Sequence, residues 1–277
     1  MAGLSRTHQE AVHRLLRERL ERVALSPTWR RIHAHFEAGE IRDKSLHFGR
    51  EQREALRQLA QREWGFDPLE GVPDGTRLEV AAQAIDEKTA RQRPDDDFVL
   101  VKGALPAPLP PLSPELSLRV PLTSLDLGAI AQLLVIENLD SFDDWQHYVA
   151  PVELTDSLVL YRGHRGLARG AQRLLNSLHA STRVIVFPDY DPAGMKIAVT
   201  LPRADALLVP DLGLPLLAKG SRQHFAEQFQ EARYLDGAEL GGWQPAWDAM
   251  KTHQVSIKQQ HMLALDAPLR LVSRHSR

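Results

Sequence analysis

Residues 184–198 have the sequence VIVFPDYDPAGMKIA, and this stretch decides the fold class of the chain. The apolar run Val184–Phe187 has the length and composition of a buried strand. Asp189 and Asp191 follow it, and Pro192 suits the first turn of a helix that Asp191 would cap. The stretch therefore predicts a strand, a short turn that carries two carboxylates, and a helix.

The same alternation of strand and helix extends over the second half of the chain. Short apolar runs are separated by segments long enough for a helix, and the runs are Leu133–Ile136, Leu158–Tyr161, Val184–Phe187 and Ala206–Val209. This rhythm predicts an α/β domain with a Rossmann-like parallel sheet. In such sheets, ligand sites collect at the carboxyl ends of the strands.

The first half of the chain has a different pattern. Apolar residues recur there at helical intervals, which predicts a mostly helical domain over residues 1–104 with helices that include 50–63 and 79–91. Five prolines predict a semi-rigid linker over 105–118. The α/β domain then occupies 119–277 and ends in a helical extension, to which the sequence assigns no role beyond packing.

Composition restricts the class of protein. The 277 residues are 43% hydrophobic and 25% charged, which excludes a wholly disordered chain. The absence of cysteine excludes disulfides, thiolate zinc sites and a cysteine nucleophile. No apolar run has the length of a membrane span, and the N-terminus lacks the apolar core of a signal peptide, so we expect a cytoplasmic protein.

Charge alone does not indicate a nucleic-acid-binding protein, because the net charge is −2. Residues 1–63 are nevertheless modestly basic, with 13 Lys and Arg against 9 Asp and Glu. This segment is compatible with contacts to phosphates. A solvated helix face rich in arginine explains the same charges equally well.

Three carboxylates stand at the ends of predicted strands. Glu137 follows the first apolar run of the sheet, and Asp189 and Asp191 follow the third. A carboxylate at such a position is partly desolvated and needs a cation or hydrogen bonds to stay charged. Each motif alone is more often a turn or a helix cap, but their joint placement predicts a site for Mg²⁺, with Mn²⁺ as a possible substitute.

The second apolar run leads into a glycine- and arginine-rich loop at residues 162–166. Arg162, Gly163 and Arg165 form a predicted phosphate-contact loop at the N-terminus of a helix, and Lys196 is a further predicted phosphate contact. The spacing Gly-x-x-Gly is also common in ordinary loops, so the motif is not specific by itself.

Three segments together resemble the Toprim domain: LLVIENLDSF at 133–142, LVLYRGHRG at 158–166 and VIVFPDYDPAGMKIA at 184–198. The DPAG continuation is similar to that of the A subunit of type IIB topoisomerases. The combination of ENLDSF with DYDPAGMKIA resembles JetD and MksG, the nuclease subunits of the Wadjet and MksBEFG plasmid-defence systems. The resemblance is specific over residues 130–215 and loose in the N-terminal half.

The resemblance implies a function and a set of partners. It implies that Glu137, Asp189 and Asp191 are both the catalytic residues and the metal ligands of a DNA endonuclease. It also implies a winged-helix-like DNA-binding region before the Toprim domain, and a homodimer. The substrate would be double-stranded plasmid DNA that an SMC-type condensin complex delivers.

One departure from the topoisomerase pattern bears on the mechanism. Topoisomerases of that type attack DNA with a tyrosine of the N-terminal domain, whereas the first tyrosine of this chain is Tyr148. The resemblance therefore implies hydrolysis by an activated water. Glu137 would act either as a metal ligand or as the general base, and the sequence does not separate the two roles.

Two other functions stay open. A haloacid-dehalogenase-type phosphatase also has Asp-x-Asp after a strand, but on its first strand, whereas Glu137 and two strands precede the motif here. The second alternative is a catalytically idle Toprim-fold subunit that binds DNA or acts as a scaffold. The chain contains neither Gly-x-Ser-x-Gly nor His-Glu-x-x-His, which argues against a serine hydrolase and a zinc hydrolase of those types.

Overall fold

The structure, a computed structural model, describes residues 4–91, 96–164 and 166–275. The chain separates into two compact units, Met1–Pro94 and Asp95–Arg277. Each unit has its own cluster of buried apolar side chains. The candidate carboxylates all belong to the second unit.

The first unit combines helices with a small sheet. Its helices are α1 (Arg6–Arg17), α2 (Pro27–Phe36), α3 (Arg50–Trp64) and α4 (Arg77–Ala81). Its strands are β1 (Arg22–Ala24), β2 (Glu40–Arg42) and β3 (Ser45–His47), which form an antiparallel sheet in the order β1-β3-β2. The sequence pattern did not predict these three short strands, and the winged-helix-like fold stays a prediction.

The helix predicted over 79–91 is shorter in the structure. Helix α4 ends at Ala81, and a 3₁₀ turn at Glu87–Thr89 follows. The chain bends between them because the backbone N–H of Ile85 donates to the carbonyl of Trp64 at 2.9 Å. A tertiary hydrogen bond to the end of α3 thus replaces the helical one that periodicity favoured.

The second unit contains a seven-stranded sheet in the order β10-β9-β8-β6-β7-β4-β5. The strands are β4 (Phe98–Gly103), β5 (Leu118–Pro121), β6 (Gln132–Ile136), β7 (Leu158–Tyr161), β8 (Arg183–Phe187), β9 (Ala206–Pro210) and β10 (Leu269–Ser273). The four strands β7, β6, β8 and β9 are parallel, as predicted. The other three pair antiparallel at the two edges, so the sheet is mixed rather than wholly parallel.

The proline-rich segment 105–118 lies inside the second unit. Strand β4, which the sequence assigned to the first domain, pairs with β5 and with β7 in the large sheet. Residues 105–118 therefore connect two paired strands of one sheet, and Val101 lies opposite Leu118. The sequence separated them because prolines between two apolar runs resemble a linker whether or not the runs pair.

Helices cover the large sheet, and its central strands are buried. The helices are α5 (Leu139–Asp143), α6 (Arg169–Ser177), α7 (Pro192–Thr200), α8 (Leu214–Leu217), α9 (Arg222–Glu227), α10 (Phe229–Asp236), α11 (Gln244–His253) and α12 (Gln259–Ala264). Every residue of Leu133–Ile136 and Val184–Phe187 is buried, as expected of strands that are covered on both faces. Among the described residues, no helix is both long enough and apolar enough to cross a membrane.

The register of the parallel strands determines where the candidate site lies. Ile136 pairs with Phe187 on one side and with Tyr161 on the other. The residues that follow these three strands therefore leave the sheet at the same edge. Glu137 and Arg162 come next on two of them, which brings predicted site residues of different strands together.

A substitution that creates a cavity in the centre of the sheet is expected to destabilise the fold. Leu160 of β7 has no exposed surface, so Leu160→Ala is expected to lower the free energy of unfolding by about 2–5 kcal/mol. The control is Val152→Ala, because Val152 is 83% exposed and should change stability little. Denaturant unfolding of both variants is the measurement, and equal effects would contradict the assignment of β7 to the core.

Candidate functional site

Glu137 and Asp189 are held together by the backbone at the end of β6 and β8. The N–H of Glu137 donates to the carbonyl of Phe187 at 3.1 Å, which extends the strand pairing by one residue. The N–H of Asp189 donates to Oε2 of Glu137, also at 3.1 Å. The predicted meeting of these two carboxylates is therefore present, with the Glu137 side chain folded over the turn after β8.

Asp191 caps the helix that follows the turn. Its Oδ1 accepts from the N–H of Gly194 at 2.8 Å, and Pro192 occupies the first turn of α7. A side chain at Gly194 would overlap the carbonyl oxygen of Asp189, so the turn requires glycine there. The predicted cap is confirmed, and Asp191 is 1% exposed.

The stretch Val255–Gln259 forms one wall of the site, although the C-terminal extension was predicted to have no role beyond packing. The N–H of Tyr190 donates to the carbonyl of Ile257 at 2.8 Å, and the N–H of Ile257 donates back at 3.0 Å. This bridge lies between Asp189 and Asp191. It therefore brings Ser256, Lys258 and Gln259 to the carboxylates.

Lys258 pairs with both aspartates. Its Nζ lies 2.9 Å from Oδ2 of Asp189 and 2.7 Å from Oδ2 of Asp191. The lysine side chain is 39% exposed, whereas those of Asp189 and Asp191 are 12% and 2% exposed. The ammonium thus reaches two largely buried carboxylates from the solvent side.

Neutral polar side chains complete the surroundings of Asp191. Its Oδ2 accepts from Nε2 of Gln228 at 3.1 Å and from Oγ of Ser256 at 3.0 Å, in addition to Lys258. Gln228 is itself fixed, because its Oε1 accepts from the N–H of Ala193 at 2.7 Å. Asp191 is therefore well supplied with hydrogen bonds inside the fold.

Gln259 connects the ends of β6 and β8. Its Oε1 accepts from the N–H of Asn138 at 3.1 Å, and its Nε2 donates to the carbonyl of Phe187 at 3.0 Å. Its own N–H donates to Oδ1 of Asp189 at 2.9 Å. Gln259 has no exposed surface and fixes the spacing of the two strand ends.

Sequence reasoning missed Ser256, Lys258, Gln259 and Gln228. Nothing in the sequence near these four residues connects them to the aspartates. Lys258 is 67 residues from Asp191 along the chain. The remaining signal was the polar character of Ser256 between the apolar neighbours Val255 and Ile257, which is typical of a buried polar contact.

The three carboxylates differ in charge state. Burial, with the nearby charge of Asp189, raises the pKa of Glu137 to about 7. Burial also raises the pKa of Asp189, against the pull of Lys258. Burial would raise the pKa of Asp191 too, but hydrogen bonds from Lys258 and the Gly194 N–H outweigh it, and the pKa is lowered.

Lys258 stays charged in this setting. Burial disfavours its ammonium, but the hydrogen bond to Asp191 and the charges of both aspartates outweigh burial and raise the pKa of Lys258. The site therefore holds one firm ion pair, between Asp191 and Lys258. Glu137 and Asp189 carry negative charge that is only partly compensated.

The four predicted phosphate contacts have different surroundings. Nη2 of Arg162 lies 3.7 Å from Oε1 of Glu137, and its buried Nε has no hydrogen-bond partner among the described residues. Gly163 has φ +116°, and a Cβ there would overlap the backbone of Ala168. Lys196 contacts α10 instead, through Glu231 at 3.3 Å. Arg165 lies outside the described residues.

The donor set fits a hard divalent cation in its chemistry. Carboxylate oxygens are the ligands that Mg²⁺ prefers, and the partly compensated Glu137 and Asp189 would gain from a cation. In the described part of the chain, no three His, Cys, Asp or Glu residues are already arranged to hold a metal. The Lys258 ammonium lies between Asp189 and Asp191, so it would have to withdraw before both bind one cation.

The chain matches a known protein family. A family model described as "Domain of unknown function (DUF7281)" matches residues 73–271. This span contains Glu137, Asp189, Asp191 and Lys258. No curated protein matches the chain. The description of the family names no activity, so function has to be argued from the site.

The pKa of Glu137 predicts a pH-dependent effect of Glu137→Gln. The folded-state pKa of about 7 lies above the ordinary 4.5, so the protonated form favours folding. This contribution is complete below pH 4.5 and is lost as the pH rises through 7. In the metal-free protein, the Gln variant should gain stability relative to wild type as the pH rises, by up to about 3 kcal/mol.

Urea unfolding between pH 5 and pH 8 in EDTA measures this difference. The control is Glu153→Gln, since Glu153 is exposed and its replacement should give a small difference at every pH. A difference for Glu137→Gln that does not change with pH would contradict the buried, partly compensated carboxyl.

Gln259→Met should weaken the connection between the two strand ends. The variant leaves the N–H of Asn138 without its partner and removes one of the two donors to the carbonyl of Phe187, which should cost about 1–3 kcal/mol. Thermal unfolding measures the loss. The neighbouring Gln260→Met is the matched control because Gln260 is only half-buried; equal losses would argue against the bridging role of Gln259.

Proposed function

The chain belongs to the family described as "Domain of unknown function (DUF7281)", and we propose from the site itself that the protein is a Mg²⁺-dependent DNA endonuclease. Glu137, Asp189 and Asp191 would hold the metal and carry the reaction, the hydrolysis of a phosphodiester bond. Mn²⁺ would substitute for Mg²⁺.

One observation carries the proposal: Glu137 from β6 contacts Asp189 after β8 at the carboxyl end of the sheet, and Lys258 joins Asp189 to Asp191 there. The contact between the Asp189 N–H and Glu137 joins the two strand ends at 3.1 Å. Gathering buried acids in this way costs free energy, because each charge is partly desolvated. Perturbed carboxyl groups at the ligand-binding edge of an α/β sheet are typical of functional sites.

The residues of the site would have different roles in the hydrolysis of the phosphodiester bond. When bound, Mg²⁺ supplies the positive charge that polarises a phosphate and lowers the pKa of a water. Glu137 would either bind the metal or, from outside its coordination sphere, accept a proton from the attacking water. Asp189 and Asp191 contribute negative charge to the metal site, and Gln259 holds Asp189 in place through its backbone N–H.

The loop after β7 is the proposed contact to the DNA backbone. Arg162 reaches the site beside Glu137, and its buried Nε lacks a hydrogen-bond partner among the described residues. The Arg162 side chain is 15% exposed, and this exposed part of the guanidinium would donate to a phosphate oxygen. Gly163 lets the loop turn closely, whereas Lys196 would have to leave Glu231 to take part. Arg165 is included on its position in the motif alone.

The proposal extends to partners. A chain of net charge −2 gains little non-specific attraction to the phosphate backbone. We therefore expect double-stranded plasmid DNA to be presented by another component, and the resemblance to plasmid-defence nucleases suggests an SMC-type condensin complex. A homodimer, also suggested by that resemblance, would place two sites on one DNA.

A catalytically idle subunit is the second candidate, and the Lys258 ion pairs favour it. An ammonium that neutralises Asp189 and Asp191 makes the carboxylate group stable without a metal. In that case the protein would bind DNA or act as a scaffold in the same complex. A phosphatase is a weaker alternative, which hydrolysis of a generic phosphate ester would reveal.

Asp189→Asn is expected to abolish metal-dependent plasmid cleavage and to leave the fold intact. The substitution removes a carboxylate charge from the metal site and keeps its size. Supercoiled plasmid is incubated with Mg²⁺ or Mn²⁺, with and without EDTA, and nicked or linear products are scored. The matched control is Asp211→Asn, because Asp211 follows the neighbouring strand β9 but is exposed and paired with Arg270 at 3.2 Å.

Cleavage by wild type and by Asp211→Asn, but not by Asp189→Asn, would support the endonuclease. Full activity of Asp189→Asn would reject the proposed site. If wild type fails to cut with either metal, the assay is repeated with the SMC-type complex added. Absence of cleavage there as well would favour the idle subunit.

A further inference from the structure

Lys258 lies where a metal ion shared by the two aspartates would lie. Its Nζ is within 3 Å of an oxygen of each, at 2.9 Å from Asp189 and 2.7 Å from Asp191. Both contacts are to the Oδ2 atoms. A single positive charge thus bridges two carboxylates, as a metal ion would.

The backbone that delivers Lys258 is fixed, whereas the Lys258 side chain is partly exposed to solvent. Ile257 exchanges two hydrogen bonds with Tyr190, and Ser256 exchanges two with Ser221, at 3.0 and 3.2 Å. These contacts hold the residues just before Lys258. The Lys258 side chain, at 39% exposure, can swing into solvent without breaking them.

Both carboxylate oxygens of Asp191 already accept hydrogen bonds. Oδ1 accepts from the Gly194 N–H, and Oδ2 accepts from Lys258, Ser256 and Gln228. A metal ion that approaches Oδ2 must therefore displace at least one of the three donors. Lys258 is the one that is both charged and exposed, so repulsion between the two cations selects it.

We infer that Lys258 is a resident counter-ion, and that a divalent cation binds the Asp189–Asp191 pair only by displacing its ammonium. The inference rests on the proposed metal site, but not on the cleavage of DNA. Lys258 keeps the buried aspartates compensated while the metal is absent. The same ammonium weakens metal binding. The divalent cation therefore binds only at a concentration high enough to compete with Lys258.

Calorimetric titration of the full chain with Mn²⁺ tests the inference. Lys258→Met removes the competing charge and should lower the Kd for Mn²⁺ by at least about tenfold. Lys258→Gln, which keeps a hydrogen-bond donor without the charge, should act in the same direction. Adding Asp189→Asn to Lys258→Met should cancel the gain, because the pair then lacks one carboxylate.

The matched control is Lys251→Met, which removes an ion pair with Asp236 away from the carboxylates and should leave the Kd for Mn²⁺ unchanged. A second readout is thermal unfolding. Without metal, Lys258→Met should melt below wild type, and Mn²⁺ should raise its melting temperature more than that of wild type.

Unchanged or weaker Mn²⁺ binding by both Lys258 variants would overturn the inference, and so would the absence of binding in every variant. The outcome is separable from that of the proposed function. Plasmid cleavage by wild type without an affinity gain in the variants would reject the counter-ion and leave the nuclease. A gain in Mn²⁺ affinity without plasmid cleavage, even with the SMC-type complex added, would support the counter-ion and reject the nuclease.

Discussion

The second unit depends on keeping two buried aspartates compensated. Asp189 and Asp191 stand two residues apart at the end of a buried strand, and Lys258, 67 residues beyond Asp191, supplies the charge that makes their burial tolerable. The bridge between Tyr190 and Ile257 brings that lysine into place. The C-terminal segment is therefore part of the site and not merely a cover for the sheet.

The part of the fold that local chemistry determines was predictable from the sequence. Apolar runs such as Leu133–Ile136 become central strands because they are buried on both faces. Asp191 and Pro192 start a helix because one caps its N-terminus and the other suits its first turn. The sequence also placed Glu137 and Asp189 at the same end of one sheet, and the pairing of β6 with β8 in the structure brings them together.

What the sequence did not predict depends on contacts between distant segments. Nothing near Lys258 or Gln259 indicates that they reach the strand ends, because the backbone pairing that brings them there is a tertiary contact. The helix predicted over 79–91 stops early for the same reason, through the hydrogen bond from Ile85 to Trp64. Strand β4 was placed in the wrong half because antiparallel pairing at a sheet edge leaves no local signal.

The central claim is that the carboxylates at this edge of the sheet hold a divalent cation. Anomalous diffraction from crystals soaked in Mn²⁺ tests it most directly. The account predicts a peak about 2 Å from carboxylate oxygens of the site, with the Lys258 side chain turned away from Asp189 and Asp191. A saturating soak that leaves Lys258 paired with both aspartates and gives no peak at Glu137 or Asp189 would contradict it.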